Sequence, residues 1–367
     1  MKKHINLLAF YCLIALSMAS CAKDELTPEE PSVQISAGNY FSLVIKPDHT
    51  LWACGNNAHA QLGDGTTINR NALLKITDGV KAVSAGAYYT MIIKTDNSLW
   101  ACGQNNYGQL GDGTITDRSA LVKIADGVKA VSAGNRHTLV IKTDNSLWAC
   151  GLNNVGQLGD GTNTDRWSLV KITDGVKAIS AGGFHTLVIK TDNSLWACGE
   201  NIYGQLGDGS NTNSNLLVKI AEGVTAISAG YGHSAVIKSD QGLWACGRNV
   251  EGQLGDGTNA DKTTLVKITD GVSEVAAATF SSIAIKTDQS LWAWGGNQYG
   301  QLGNGTITGT NIPSKIADGV KAISAGAGHN LILKNDNTIW ACGYNVYGQL
   351  GDGSTTDRNE LVSVFLP

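Results

Sequence analysis

Residues 147–162 read LWACGLNNVGQLGDGT, and close copies of this stretch recur along the chain at a constant interval. Its tryptophan recurs every 48 residues, at Trp52, Trp100, Trp148, Trp196, Trp244, Trp292 and Trp340. A fixed period of this length is typical of solenoids and propellers. Seven units account for nearly everything from Val33 onward, and no unit carries an insertion.

Each unit contains four short apolar runs separated by Gly, Asn and Asp. In the unit at residues 121–161, the runs are 121–124, 128–133, 138–142 and 147–150. Short runs between turn-forming residues predict β-strands, and four strands per unit correspond to one propeller blade. We therefore predict an all-β fold, a closed seven-bladed β-propeller with four strands per blade and 48-residue repeats.

The two ends of the repeat region indicate how the ring closes. Residues 33–38 correspond to the second run of a unit, whereas residues 361–365 correspond to its first run. We expect these N- and C-terminal strands to complete one blade together, which would remove an aggregation-prone open edge. Both faces of residues 147–150 are apolar. We therefore expect the seven repeated tryptophans to dominate the packing between blades.

The first 20 residues have the features of a targeting segment. Lys2 and Lys3 precede a largely apolar run at residues 5–17, and residues 18–21 read MASC. This ending resembles the lipobox of bacterial lipoproteins. The resemblance implies that residues 1–20 are a signal peptide and that the thiol of Cys21 is acylated.

Residues 21–32 are acidic and contain two prolines, so we predict a flexible tether there. The propeller domain is then expected at residues 33–367. Residues 21–25, CAKDE, resemble the surface-export signal of Bacteroidota lipoproteins. This resemblance implies an outer-membrane lipoprotein displayed at the cell surface, and a periplasm-facing position stays open as the alternative.

The overall composition narrows the classes of partner. The chain has 45 glycines, which favours many tight turns between short strands. The net charge is −4, and the sequence offers no basic patch of the kind that nucleic-acid binding needs. Nucleic acid is therefore not an expected partner.

The units share the pattern Ser-Ala-Gly-x-x-His-Thr followed by Leu-Trp-Ala-Cys-Gly-x-Asn-x-x-Gly-Gln-Leu-Gly-Asp-Gly-Thr. This pattern resembles the regulator of chromosome condensation repeat across all seven units. The resemblance implies a seven-bladed propeller with a shared blade, but one fold serves many functions. Chromatin-bound members of the family are exchange factors for a small GTPase and use a loop insertion that this chain lacks. A secreted bacterial propeller of similar fold inhibits β-lactamases by docking one face onto them.

Cysteine recurs at one framework position, at Cys54, Cys102, Cys150, Cys198, Cys246 and Cys342. A disulfide needs Cα atoms within about 7 Å, which equivalent positions on separate blades rarely satisfy. We therefore predict that these six side chains are buried free thiols.

Histidine recurs at another framework position, at His137, His185, His233 and His329. Phe41, Tyr89 and Ser281 replace it in the other units, so we predict a structural hydrogen bond at the turn. No nucleophile with a partnered base is evident, and the Asp-Gly-Thr loops lack the dense acids of an EF-hand. We predict no catalytic residue, no cofactor and no metal site.

The units differ most in the turn after Ser-Ala-Gly and in the loop after Cys-Gly, which should share one rim of the ring. Tyrosine and arginine are enriched at interface hot spots. We therefore predict a partner-binding face there, formed by Tyr40, Tyr88, Arg136, Phe184, Tyr231, Phe280, Gln104, Glu200, Arg248 and Tyr344. The same loops carry His59, Tyr107, Tyr203, Tyr299 and Tyr347, and the four tyrosines share one repeat position, which favours a structural role.

We expect a membrane-anchored, monomeric binding or scaffold lipoprotein, and not an enzyme, that binds a protein or a glycan through this face. One alternative is an enzyme acting on polysaccharide at the central channel, for which the variable loops offer only Glu200 and Glu251. Another alternative is an exchange factor, which the signal peptide disfavours.

Overall fold

A computed structural model of the protein describes residues 32–366, and the predicted signal peptide, Cys21 and all but the last residue of the predicted tether lie outside this range. The described residues form 28 strands. They contain no helix able to cross a membrane. The first two blades contain β1 (Gln34–Ala37), β2 (Phe41–Ile45), β3 (Leu51–Gly55), β4 (Arg70–Thr77), β5 (Val80–Ala85), β6 (Tyr89–Lys94), β7 (Leu99–Gly103) and β8 (Arg118–Ala125).

The next three blades repeat this order. They contain β9 (Val128–Ala133), β10 (His137–Lys142), β11 (Leu147–Gly151), β12 (Arg166–Thr173), β13 (Val176–Ala181), β14 (His185–Lys190), β15 (Leu195–Gly199), β16 (Ser214–Ala221), β17 (Val224–Ala229), β18 (His233–Lys238), β19 (Leu243–Gly247) and β20 (Lys262–Thr269). The last two contain β21 (Val272–Ala277), β22 (Ser281–Lys286), β23 (Leu291–Gly295), β24 (Thr310–Ala317), β25 (Val320–Ala325), β26 (His329–Lys334), β27 (Ile339–Gly343) and β28 (Arg358–Val364).

Each blade is an antiparallel sheet of four consecutive strands, so the predicted seven-bladed, four-stranded propeller is confirmed. The predicted shared blade is wrong. β1 pairs with β2 and β28 pairs with β27, so the two end strands belong to different blades.

The correction follows from where each blade begins within the 48-residue repeat. The run at residues 121–124 pairs with the strand before its loop, and Ala101 faces Val122 across β7 and β8. The sequence reasoning grouped this run with the strands that follow, because only Asp126 and Gly127 separate β8 from β9. That short connection instead joins the outer strand of one blade to the inner strand of the next.

The ring closes between blades one and seven through the contacts that join the other blades. The Ala37 amide donates to Ser324 Oγ at 2.9 Å, as the Ala133 amide donates to Ser84 Oγ at 3.0 Å. On the outer edge, the Gly353 amide donates to the Asn71 carbonyl at 3.0 Å. Closure therefore needs no strand exchange between the chain ends.

Aliphatic side chains fill the space between neighbouring blades. Leu43 and Leu51 of blade one pack with Val83 of blade two, and Trp100 covers this cluster from its edge. The indole is only partly buried: its Nε1 donates to Ser98 Oγ at 2.8 Å, and Lys94 Nζ lies 4.7 Å from the ring centre. The repeated tryptophans pack between blades as expected, but they line the interface and do not dominate its centre.

The six repeat cysteines are buried and free, as predicted. In blade six, Trp294 takes their place, and its Nε1 donates to the Gln253 carbonyl at 2.9 Å. Cys150 directs its sulfur to the equivalent Gln109 carbonyl at 3.6 Å. Burial raises the pKa of the Cys150 thiol to about 12, so the thiol is packed and unreactive.

The repeated histidines bond across the blade interface, and not at their own turn as predicted. His137 Nε2 lies 3.1 Å from Thr186 Oγ1, whose hydroxyl donates to the Gln157 carbonyl at 2.7 Å. The histidine must therefore donate from Nε2, which leaves Nδ1 unprotonated and, within the described residues, without a partner. Burial lowers the pKa of His137 to about 4, which agrees with a neutral ring.

Blade six shows why a glycine precedes these rings. A Cβ atom on Gly182 would lie 2.5 Å from both His185 Cε1 and the Gly230 carbonyl oxygen, closer than real contacts allow. Blade six has Ser281 at the histidine position, and there the glycine is replaced by Ala278. The ring and the carbonyl of the next blade together leave no room for a Cβ atom beside the histidine.

Candidate functional site: the rim face

Two segments of every blade meet on one side of the ring, which we name the rim face. They are the turn between the first and second strands and the loop after the third strand. The Asn56 amide donates to the Tyr40 carbonyl, and the Glu200 amide donates to the Phe184 carbonyl, both at 2.8 Å. The equivalent bond occurs in all seven blades, so the two variable segments are joined directly.

Buried polar side chains hold the loop in shape. Asn105 Nδ2 donates to Asp112 Oδ1 at 3.0 Å, and its Oδ1 accepts from the Leu110 amide at 3.0 Å. Gln109 Oε1 accepts from the Tyr107 amide at 3.0 Å. Loops fixed in this way lose little conformational freedom on binding. The sequence reasoning missed these roles, although the strict recurrence of Asn and Gln was visible.

The Asp-Gly-Thr loops are saturated with protein donors. Asp160 accepts from Asn153 Nδ2 at 3.0 Å, from the Thr162 amide at 2.9 Å and from Arg166 Nε at 2.8 Å. Partial burial opposes ionisation of Asp160, but the hydrogen bonds from Thr162, Arg166 and Asn153 together lower its pKa. A structural role explains these acids.

Six rings of blades six, seven, one and two form a continuous group, the tyrosine cluster: Tyr40, His59, Tyr88, Tyr299, Tyr344 and Tyr347. Ring centres are 4.9 Å apart for Tyr299 and Tyr344, and 5.7 Å apart for Tyr40 and Tyr344. Burial and the neighbouring tyrosines raise the pKa of Tyr40, so its hydroxyl stays neutral. Tyr299 and Tyr347 belong to the repeat position for which we favoured a structural role, yet both contribute rings to the cluster.

The other side of the rim face, in blades three to six, combines aromatic and charged side chains. We name it the arginine sector: Arg136, Phe184, Glu200, Tyr231, Arg248 and Phe280. The guanidinium carbon of Arg136 lies 4.7 Å from the centre of the Tyr107 ring, and that of Arg248 lies 5.4 Å from the Phe280 ring. The Phe184 and Tyr231 rings meet edge to face at 5.7 Å.

Two further predicted residues have local partners. Glu200 Oε2 accepts from Gln205 Nε2 at 3.0 Å, and burial raises the pKa of Glu200. The Gln104 amide donates to the Tyr88 carbonyl at 2.9 Å, which places Gln104 beside the tyrosine cluster. All ten residues predicted for the partner-binding face therefore lie on the rim face, in two chemically different groups.

The axial channel holds a cavity of about 100 Å³ on the rim side and one of about 170 Å³ toward the opposite face. Alanine, glycine and serine of the inner strands line most of their walls, and no carboxylate of the described residues lines either one. Glu200 and Glu251 lie in rim loops, in different blades. Glu274, which the sequence reasoning missed, is buried between blades six and seven, where the Ile323 amide donates to it at 3.4 Å.

Comparison with known proteins identifies the repeat. Two profiles described as Regulator of chromosome condensation (RCC1) repeat match more than half of the chain. One covers residues 33–61, 80–109, 128–157, 176–205, 224–253 and 320–349, and the other covers 48–93, 96–141, 144–189, 192–237 and 288–333. No curated protein matches the sequence.

Among solved structures, human WBSCR16 has a TM-score of 0.79 at 18% identity, covering 87% of this chain and 94% of that one. Yeast RCC1 (Prp20), solved with Kap60 bound, has a TM-score of 0.73 at 18% identity, covering 80% of this chain and 78% of that one. Prp20p from Saccharomyces cerevisiae, described with its binding to Gsp1p and histones, has a TM-score of 0.72 at 20% identity, covering 80% of each chain. These similarities show the fold.

Proposed function

The chain belongs to the regulator of chromosome condensation repeat family, and we propose that it is a monomeric protein that binds a partner protein through its rim face. The lipobox-like ending at residues 18–21 supports the further proposal that it is a membrane-anchored lipoprotein. The observation that carries this proposal is the contrast between a nearly invariant framework and a variable rim. Framework positions repeat because every blade must pack alike, whereas the face where the blades differ carries most of the tyrosines together with Arg136 and Arg248.

The chemistry of the rim face favours a protein partner. Tyrosine gives large contact area at a low cost in conformational entropy, and antibody-combining sites use Tyr, Gly, Asn and Arg in the same way. In the loops that carry Tyr344 and Arg248, the buried side chains of Asn345 and Asn249 hold the backbone in place by accepting from backbone amides. Prp20p, which shares the fold, is described with its binding to Gsp1p and histones.

The direction of the first strand supports an outward-facing rim. β1 ends at Ala37, where the rim turn begins, so Ser32 lies toward the opposite face. A tether leading from Cys21 would therefore reach the propeller on the face away from the rim. Twelve residues of extended chain span at most about 40 Å, so attachment on that face favours an arrangement in which the rim face points away from the membrane.

Site-specific photo-crosslinking in intact cells tests this proposal. A photoreactive phenylalanine analogue at Tyr40 or Tyr344 should yield a discrete protein adduct. The matched control places the same analogue at Asp78 or Asp174, which lie on the opposite face and whose side chains are 71% and 69% exposed. Adducts from the control positions alone would contradict the assignment of the rim face.

A neutral glycan is the second candidate ligand, and the tyrosine cluster favours it. The six rings of the cluster include no lysine, arginine or carboxylate side chain, and the carboxylate of Asp117 lies beside them, 3.7 Å from His59 Nδ1. Failure to form protein adducts, together with retention of the protein on an immobilised neutral polysaccharide, would select this candidate.

We propose binding without catalysis. The channel alternative needs carboxylates converging on the axis, whereas Glu200 is bonded to Gln205 and Glu251 lies in the rim loop of the next blade. The exchange-factor alternative conflicts with the targeting segment and with the lack of a loop insertion in the seven units.

We propose that the propeller is displayed at the cell surface. Protease treatment of intact cells should remove the propeller, while a periplasmic marker protein stays intact. A variant with Cys21→Ala should leave the membrane fraction, because the proposed acyl chains anchor the mature protein. Full protection of the propeller in intact cells would place it on the periplasmic side.

A further inference from the structure

Arg136 and Arg248 differ from the other four arginines of residues 32–366. Each of those four pairs with an aspartate in its own loop, at Arg70, Arg118, Arg166 and Arg358. Within the same range, no carboxylate oxygen lies within 4.0 Å of a nitrogen of Arg136 or Arg248. The rim face therefore carries two cations that the fold leaves without counter-charges in contact.

Aromatic rings hold both guanidinium groups in place. Arg136 lies over Tyr107, and its Nη1 donates to the Tyr107 hydroxyl at 2.9 Å. Arg248 lies between Tyr203 and Phe280, with ring centres 5.7 and 5.4 Å from its guanidinium carbon. A stacked guanidinium keeps its planar N–H groups ready for a carboxylate, so less ordering is needed when the ion pair forms.

The two arginines border one surface. Phe184 and Tyr231 meet between blades four and five, and Tyr231, which is 38% exposed, also lines the rim-side cavity. Burial and the charge of Glu200 raise the pKa of the Tyr231 hydroxyl, and the charges of Arg136 and Arg248 oppose this rise. Glu200 is held by Gln205, and Glu251 projects into solvent.

Building on the proposed function, we propose that the arginine sector binds an acidic segment of the partner protein. Arg136 and Arg248 each receive one Asp or Glu carboxylate, and the intervening chain packs on Phe184 and Tyr231. Charge complementarity selects this occupant, since two cations without a contacting ion-pair partner, on an otherwise acidic protein, attract carboxylates and reject basic partners.

Binding of poly-L-glutamate to residues 32–367, a form that retains every strand, tests the site directly. The double variant Arg136→Met, Arg248→Met should bind at least ~10-fold more weakly at low salt, because it loses two charge-assisted contacts. The matched control, Lys123→Met with Lys171→Met, removes the same charge from exposed positions far from the rim and should stay within about twofold of the parent.

Equal weakening in both double variants would reduce the effect to net charge and overturn the proposal. Binding of polygalacturonate but not of poly-L-glutamate would show that the arginine sector binds an acidic glycan and not an acidic peptide, and would overturn the proposal. Matching melting temperatures of the parent and both variants exclude misfolding as the cause. Unchanged binding by the arginine variant would refute the proposal for the arginine sector but not the proposed function. The cross-links at Tyr40 and Tyr344 test the proposed function independently.

Discussion

Deletion of residues 358–367 is expected to unfold the propeller, or to lower its free energy of unfolding by several kcal/mol. β28 is the outer strand of blade seven and pairs with β27 at Arg358 and from Val362 to Val364, with an irregularity between these two stretches. Its Val364 is buried between blades seven and one, and Leu361 packs against the interface of blades six and seven. Burial of each such side chain stabilises by roughly 1.5–3 kcal/mol, and a domain has only about 5–15 kcal/mol in total.

Urea unfolding followed by tryptophan fluorescence measures the loss in the free energy of unfolding. The fluorescence reports on blade seven because Trp340 lies on β27, the strand that the deletion uncovers. Two adjacent point variants calibrate the loss. Val364→Ala removes a side chain that is 6% exposed and should cost about 1–3 kcal/mol, whereas Phe365→Ala changes one that is 77% exposed and should cost less than about 0.5 kcal/mol. A truncated protein as stable as the parent would show that blade seven does not depend on β28.

The periodic part of the fold was predictable because every blade must bury the same faces against its neighbours. The 48-residue interval set the number of blades, and the alternation of apolar and turn residues located the strands. The phase of the repeat was not predictable in the same way. A circular repeat has no intrinsic starting point, so only cross-strand pairing, such as Ala101 with Val122, decides which strands share a blade.

The candidate site was predictable as a rim but not in its internal organisation. Strand direction alone places the two variable segments on one side, and internal variation marks Tyr40, Arg136 and Arg248. Which rings touch depends on side-chain directions across blade boundaries. Tyr231 stands one position earlier in its turn than Phe184 does, yet the two rings meet at 5.7 Å. Such contacts follow from the twist of neighbouring blades and not from spacing along the chain.

Lowering the pH from 6.5 to 5 is expected to reduce the free energy of unfolding by several kcal/mol. Burial lowers the pKa of His137 and His233 to about 4 and that of His329 to about 3. For His185, burial and the neighbouring histidines lower it to about 3. In the unfolded chain these residues regain a pKa near 6.5.

The direction of the effect follows from where protons bind. Between pH 6.5 and about 4, the unfolded chain takes up protons at these four positions and the folded chain does not, so acid favours unfolding. Each histidine contributes at most about 1.4 kcal/mol per pH unit in this window. The loop carboxylates, such as Asp160, have a pKa lowered from 3.8 and lose their contribution only at lower pH.

Denaturant midpoints measured between pH 7 and pH 5 test this dependence, and His185→Phe is the matched control. Blade one already has Phe41 at this position, and the hydroxyl that faces it, that of Thr90, is satisfied by donating to the Gln61 carbonyl at 2.6 Å. Ser234, the partner of His185, donates to the Gln205 carbonyl in the same way at 2.6 Å, so the phenylalanine variant should leave no polar group unpaired. The variant should therefore fold and lose about one quarter of the pH dependence, in proportion to the one histidine of four that it removes. A stability that does not change between pH 7 and pH 5 would mean that the histidines are protonated in the folded ring, and the hydrogen-bond assignment at the blade interfaces would then be wrong.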